Sequence, residues 1–326
     1  MDNRISQRNL SIDLIKIISM YMVLMLHLHV QRRLCTTFDY STTPFWYSLA
    51  GIAIPLFFMV SGYLMSKKQD IEFKYSIRKI WGIVKFTLLI CLIWDIFIYL
   101  TTQRIRFDFP ICFMKDGGFS HFWYFGSMII VYSILPVLRK LFTDHLRLVM
   151  VSLGAICFIF FLLDCVCLFE KGYVIQTFRV WYWFFYFGLG FCVERKYSYL
   201  TNFKMYYLVA FMSLYLLSVY FIKPGGIEYH FGNPFCPLYA TAVFLMLLKV
   251  QITHKKIIQI LSSCFLPIYA FHEIALGYFV YHQPFLSIEQ NAPFPFLLEY
   301  LIAVFMITTV AVVIMKLPGM KRIFSI

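Results

Sequence analysis

Residues 8 to 29, RNLSIDLIKIISMYMVLMLHLH, form a hydrophobic run that carries four ionisable side chains, Asp13, Lys16, His27 and His29. At about 100° per residue along a helix, Lys16 and His27 fall within roughly 20° of one stripe. Asp13 lies nearly on that face and His29 on the far one. A rise of about 1.5 Å per residue puts His27 roughly 16 Å beyond Lys16, more than half of a hydrocarbon core about 30 Å thick. One helix face therefore offers an acid–base pair near one membrane surface and an imidazole deeper, toward the other. Imidazole is the side chain best suited to take and return a proton near neutral pH. Ionisable groups at that depth are costly, so they face a bundle interior or a wet cavity and mark a functional path.

Three further stretches carry groups of the same kind. The first ends Pro55-Leu56-Phe57-Phe58-Met59-Val60-Ser61-Gly62-Tyr63-Leu64, where Ser61 and Gly62 leave room for a backbone or a ligand to approach closely. A basic cluster follows, Lys74, Arg78 and Lys79, with Lys85 one or two turns deeper, a charge pattern that suits phosphate groups. The second stretch is His121-Phe122-Trp123-Tyr124-Phe125, closed by Pro136; the third is Ser262, Ser263 and then Pro267-Ile268-Tyr269-Ala270-Phe271-His272-Glu273. His121, His272 and Glu273 fall at about the depth of His27. Asp95 and Asp164 are further acids inside apolar runs.

The elements that must position these groups are membrane helices. Of 326 residues, 61% are hydrophobic and 14% charged, against about half apolar and a quarter charged in a soluble domain. About ten apolar segments long enough to span a bilayer lie near 11–31, 45–66, 80–101, 122–138, 147–168, 178–194, 204–222, 234–250, 262–281 and 294–315. The expected fold is all-α and polytopic. Lys and Arg crowd into the connections on the side of the N-terminus, such as Lys67 to Lys79 and Arg139 to Arg147, which predicts cytoplasmic N- and C-termini. The net charge of +13 comes in short clusters flanking these runs, a membrane pattern that argues against a nucleic-acid partner. Short connections and the lack of a soluble insert read residues 1–326 as one transmembrane domain, and the first apolar run continues as a span without a small-residue cleavage site. The nine cysteines are odd in number, sit mostly in apolar runs and form no CxxC pair. They read as small apolar fillers, with no metal site expected.

The run Asp13-Leu14-Ile15-Lys16 followed by His27 resembles the first-helix signature of the acyltransferase 3 family, in which Arg is commoner at the position of Lys16. Pro55 to Tyr63 resembles that family's Pro-Leu-Phe-Phe-x-x-Ser-Gly-Phe/Tyr segment, and His121 to Tyr124 its His-x-Trp-Phe/Tyr segment. Ser262 to His272 is similar to its Ser-x-x-(Ser/Thr)-Phe-x-x-Tyr-x-x-His element, and WYWFFYFGLG at 181–190 to its aromatic Phe-x-x-Gly helix. The resemblance implies a multi-pass enzyme of the cytoplasmic (inner) membrane, with no permanently bound cofactor. Such an enzyme takes an acyl group from acyl-coenzyme A, usually acetyl-coenzyme A with succinyl as a variant, and places it on a hydroxyl of a cell-surface polysaccharide or lipid-linked glycan. On this reading His27 is the general base, and Asp13, His121 and His272 complete the catalytic set. Lys16, Ser61, Arg78 and Lys79 meet the donor; Trp123, Tyr124 and Glu273 meet the carbohydrate acceptor. The oxyanion donor is open among Tyr124, His121 and His272, as is direct transfer against an acyl-histidine intermediate. Buried charge alone also fits a transporter or flippase for a lipid-linked sugar, whereas a structural or sensory membrane protein does not require Lys16 and His27 on one stripe.

Overall fold

The computed structural model of the protein describes residues 9–35, 45–68, 71–165, 174–200, 202–221, 231–282 and 293–324, and among these every regular element is helical. In chain order the α-helices are α1 (Leu10–Cys35), α2 (Phe45–Ala50), α3 (Ala53–Ser66), α4 (Phe73–Thr102), α5 (Trp123–Ser133), α6 (Leu135–Asp144) and α7 (Leu146–Cys165). They continue with α8 (Val180–Leu200), α9 (Met205–Phe221), α10 (Cys236–Leu248), α11 (Lys255–Ser263), α12 (Phe265–Tyr281), α13 (Pro293–Ile314) and α14 (Met320–Ile323). Short 3-10 turns at Ile111–Met114, Ser120–Phe122 and Gln176–Phe178 prepare the starts of α5 and α8.

α1 is the hub. Asn9 caps it by accepting the Ser11 and Ile12 amides at 3.1 and 3.3 Å, which satisfies two of the four orphan donors of a helix start. Around it pack α2, α3, α10, α11, α12 and α13. α3 is buried along nearly its whole length and packs most extensively on α8. Two glycines make that crossing possible: a Cβ on Gly62 would meet the Phe187 carbonyl, and one on Gly190 the Met59 carbonyl. The backbones touch at reciprocal notches, and Phe58 stacks on Trp183 at 4.8 Å beside them. The space at Gly62 is thus filled by α8 rather than left for a ligand.

The outer helices expose apolar side chains, such as Leu88, Ile96 and Leu100 on α4, Val151 and Ile159 on α7, and Leu301 and Phe305 on α13. With their length, this makes the chain a multi-pass membrane protein. Leu10–Arg32, Phe45–Ser66, Phe73–Thr102, Leu146–Cys165 and Phe296–Ile314 are long and apolar enough to cross a bilayer. The total among the described residues is seven if each of two bent pairs is one span. Each of the ten apolar segments read from the sequence falls on a helix, but five to seven pass by length and composition. α9 and α10, of 17 and 13 residues, extend about 26 and 20 Å, and α8 carries Glu194, Arg195 and Lys196 just before its last turn. The bent pairs are α5 with α6 at 65° and α11 with α12 at 57°. Pro136 and Pro267 lie in the first turns after those breaks, where a missing N–H costs nothing and the ring excludes a straight helix.

Candidate active site

Three elements distant in sequence bring their imidazoles together. α1 supplies His27, the 3-10 turn before α5 supplies His121, and α12 supplies His272 and Glu273. The packing of α12 on α1 and one hydrogen bond set the assembly: the Tyr269 hydroxyl donates to the His121 carbonyl at 2.6 Å. Tyr269 and His272 are three apart on α12 and therefore share a face. Phe119 and Phe122, stacked at 4.9 Å, hold the turn that carries His121.

The ring centres of His27 and His272 are 4.7 Å apart, those of His121 and His272 also 4.7 Å, and those of His27 and His121 6.2 Å. Glu273 lies between two of them. Its Oε2 is 2.6 Å from His121 Nδ1 and its Oε1 is 3.6 Å from His27 Nδ1. The first distance is a short charge-assisted hydrogen bond; the second is ion-pair range, too long for a hydrogen bond. A carboxylate only accepts, so His121 Nδ1 carries its proton there. His272 Nδ1 stands 2.8 Å from the Tyr269 carbonyl, which likewise only accepts, so the second nitrogen of neutral His272 is a lone-pair acceptor. That Nε2 is buried without a hydrogen-bond partner. His121 and His272 are fully enclosed, while the His27 side chain keeps 23% of its surface accessible. The arrangement places one reachable imidazole against a carboxylate that a second imidazole orients. Proton transfer with stabilisation of an imidazolium is the chemistry this permits. Among the described residues no three or more His, Cys, Asp or Glu are placed to hold a metal ion.

Asp13 is not brought to this cluster. It accepts a hydrogen bond from Ser262 at 3.0 Å, tying α1 to α11, and the helical rise separates it from His27 by about 21 Å. Lys16 is partly buried on the same straight helix, about 16 Å from His27. The Ser61 hydroxyl donates to the Phe57 carbonyl at 3.0 Å and lies in hydrogen-bonding range of Tyr124. Tyr124 packs on Phe58 at 5.2 Å and on Tyr269 at 6.0 Å, so an aromatic line runs from Ser61 to the histidines. Trp123 is buried against Trp183 at 5.3 Å, one aromatic layer back from that line. Arg78 and Lys85 are exposed on the outward face of α4, Lys85 over Trp81 at 5.8 Å. Lys79 is half-buried beside Tyr75, whose ring also carries the Lys68 amine at 3.8 Å. His29 packs between Tyr47 and Phe296, away from the site.

Sequence reasoning did not identify Tyr269 as a support of the site, although its spacing of three from His272 was the available signal. Nor did it pair Arg32 with Glu299, 3.0 Å apart and both largely buried, or Arg179 with Asp164 at 3.4 Å. Arg32 and Glu299 lie on α1 and α13, and Asp164 on α7 with Arg179 in the connection just before α8, so no local pattern announces either pair.

A family model described as "Acyltransferase domain", that of acyltransferase 3, matches residues 9–316. No curated protein and no solved structure matches the chain.

Proposed function

Since the chain belongs to the acyltransferase 3 family, we propose that this membrane acyltransferase moves an acyl group from acyl-coenzyme A, acetyl-coenzyme A first among donors, to a hydroxyl of a cell-surface or lipid-linked glycan. The observation that carries the reading is the single Glu273 carboxylate facing the Nδ1 atoms of both His27 and His121. His27, the reachable imidazole, takes the proton of the acceptor hydroxyl as its oxygen attacks the thioester carbonyl. Glu273 then stabilises the imidazolium that forms, as the buried carboxylate of a catalytic triad does. His121, bound to Glu273 and held through its carbonyl by Tyr269, keeps the carboxylate in place. Collapse of the tetrahedral intermediate breaks the C–S bond, and the leaving thiolate recovers a proton from the His27 imidazolium. Neutral His121 and neutral His272 have each given their one N–H, to Glu273 and to the Tyr269 carbonyl, which makes both poorer oxyanion donors than Tyr124.

The donor enters from the end of α1 that carries Lys16, with Ser61 and Lys79 near its path. Arg78 meets phosphates only at the protein surface. On this reading the termini are cytoplasmic, the enzyme sits in the cytoplasmic membrane and transfer is direct. The test is release of coenzyme A thiol from acetyl-coenzyme A by wild type and His27→Ala in matched membranes, with a panel of sugar acceptors. A drop of about 100-fold or more in His27→Ala is expected for loss of a general base; equal rates would move the base to His121 or His272.

A further inference from the structure

Two of the nine cysteines meet across elements that the chain separates. Cys91 lies on the buried face of α4 with Phe86, Thr87 and Ile90, and Cys112 in the 3-10 turn at Ile111–Met114. They are 21 positions apart in sequence, yet their sulfurs stand 3.9 Å apart and neither residue is exposed. A disulfide has its sulfurs at about 2.05 Å. The gap of about 1.9 Å is within the swing of two thiols about their Cα–Cβ bonds.

The connection between them lies on the side where such a bond persists. Cys91 is about 27 Å along α4 from its start at Phe73, in the half of the helix away from the basic cluster of Lys74, Arg78 and Lys79. The segment that brings Cys112 back to it carries Arg104, Arg106, Asp108, Lys115 and Asp116. So many charges do not rest in hydrocarbon, so before it packs this segment stands in water on the side opposite the termini. With the termini cytoplasmic, that water is extracytoplasmic, where disulfides form and endure. Once packed, the segment is held to α4 by polar contacts at its rim: the Asp108 amide donates to Asp95 at 3.3 Å, and Asp108 accepts the Gly118 amide at 3.1 Å. The turn with Cys112 also supports the candidate site. It packs on the Ser120–Phe122 turn that carries His121, and the Phe113 carbonyl accepts the Thr177 hydroxyl at 2.5 Å.

We propose that Cys91 and Cys112 are joined by a disulfide in the membrane-embedded protein, which staples the turn beneath His121 to α4. This rests on the orientation proposed above and not on the acyl transfer. The oxidant is an extracytoplasmic dithiol–disulfide oxidoreductase. One cysteine of the pair attacks its disulfide, and the other then displaces it from the mixed disulfide. Two electrons and the two thiol protons pass to the oxidoreductase, which leaves as a dithiol. Both sulfurs are enclosed after packing, so the exchange precedes packing and the finished bond is shielded from reductants.

The test begins with membranes quenched in acid and denatured in detergent, then treated with a polyethylene-glycol maleimide with and without prior reduction. Each free thiol shifts the band of the full-length protein once. Reduction should expose two more thiols in wild type than in Cys91→Ser or Cys112→Ser, and unreduced digests of wild type should contain a peptide pair linked through these two residues. Because closing the loop constrains the unfolded chain, reductant should lower the thermal midpoint of wild type by several degrees and leave that of Cys91→Ala/Cys112→Ala unchanged. No gain of thiols on reduction, or the same gain in wild type and both serine variants, would overturn the proposal. A linked pair in a protein that transfers no acyl group would uphold the staple and refute the enzymatic reading alone.

Discussion

Replacing Glu273 by Gln keeps the side-chain volume and removes only the charge shared by two imidazoles. At 3.6 Å from His27 Nδ1, a full charge on each partner interacts by about 5 kcal/mol at an effective dielectric of about 20. The amide oxygen retains part of this as a neutral hydrogen bond. The hydrogen bond from His121 at 2.6 Å is charge-assisted, a class worth about 1.5–3 kcal/mol. The two contributions act on one transition state and do not add in full. A net loss of about 2–4 kcal/mol gives a fall in kcat of roughly 30- to 900-fold. The assay is the initial rate of coenzyme A thiol release at saturating donor and acceptor, alongside the thermal midpoint of the purified protein. KM for acyl-coenzyme A should stay within about threefold, because in the proposed mechanism Glu273 acts on His27 and not on the donor. Glu273→Asp retains the charge one methylene further back and should recover part of the rate. A folded Glu273→Gln enzyme with kcat within about threefold of wild type would refute the assignment of Glu273 as the group that stabilises the imidazolium.

Other perturbations separate the site from its scaffold. Ser262→Ala removes the hydrogen bond to the buried Asp13 carboxylate and should cost about 1–3 kcal/mol of stability, read as a lower midpoint of thermal unfolding, with kcat nearly unchanged because the site is about 21 Å away. Gly62→Ala and Gly190→Ala should each prevent the α3–α8 crossing and abolish accumulation of folded protein in the membrane, whereas Gly154→Ala, with room for a Cβ, should accumulate normally. Arg32→Leu should destabilise by about 3–5 kcal/mol by leaving Glu299 buried and unpaired. Adding Glu299→Leu should recover most of that loss in a thermal-shift measurement; a double variant no better than the single would contradict a simple ion pair.

The parts of this protein that depend on neighbours along the chain were legible before the structure. Helical periodicity places Lys16 and His27 on one face of α1, and the rise per residue already separates Asp13 from His27, because both follow from local geometry alone. The motif stretches around Ser61, His121 and His272 and the apolar, helical character of the chain are equally local. Which helices touch is not local, and there the tertiary structure decided. It put Glu273 between His27 and His121, a contact across three elements in which burial selects a shared carboxylate. It closed Gly62 with the backbone of α8, since a small residue permits approach without naming what approaches. It left Arg78 on the exposed face of α4, because a cluster of charges read from sequence carries no direction around the helix until that helix is packed. The reach of an imidazole and the company it keeps come from the packing of α1, α5 and α12, and no spacing within any one of them contains that information.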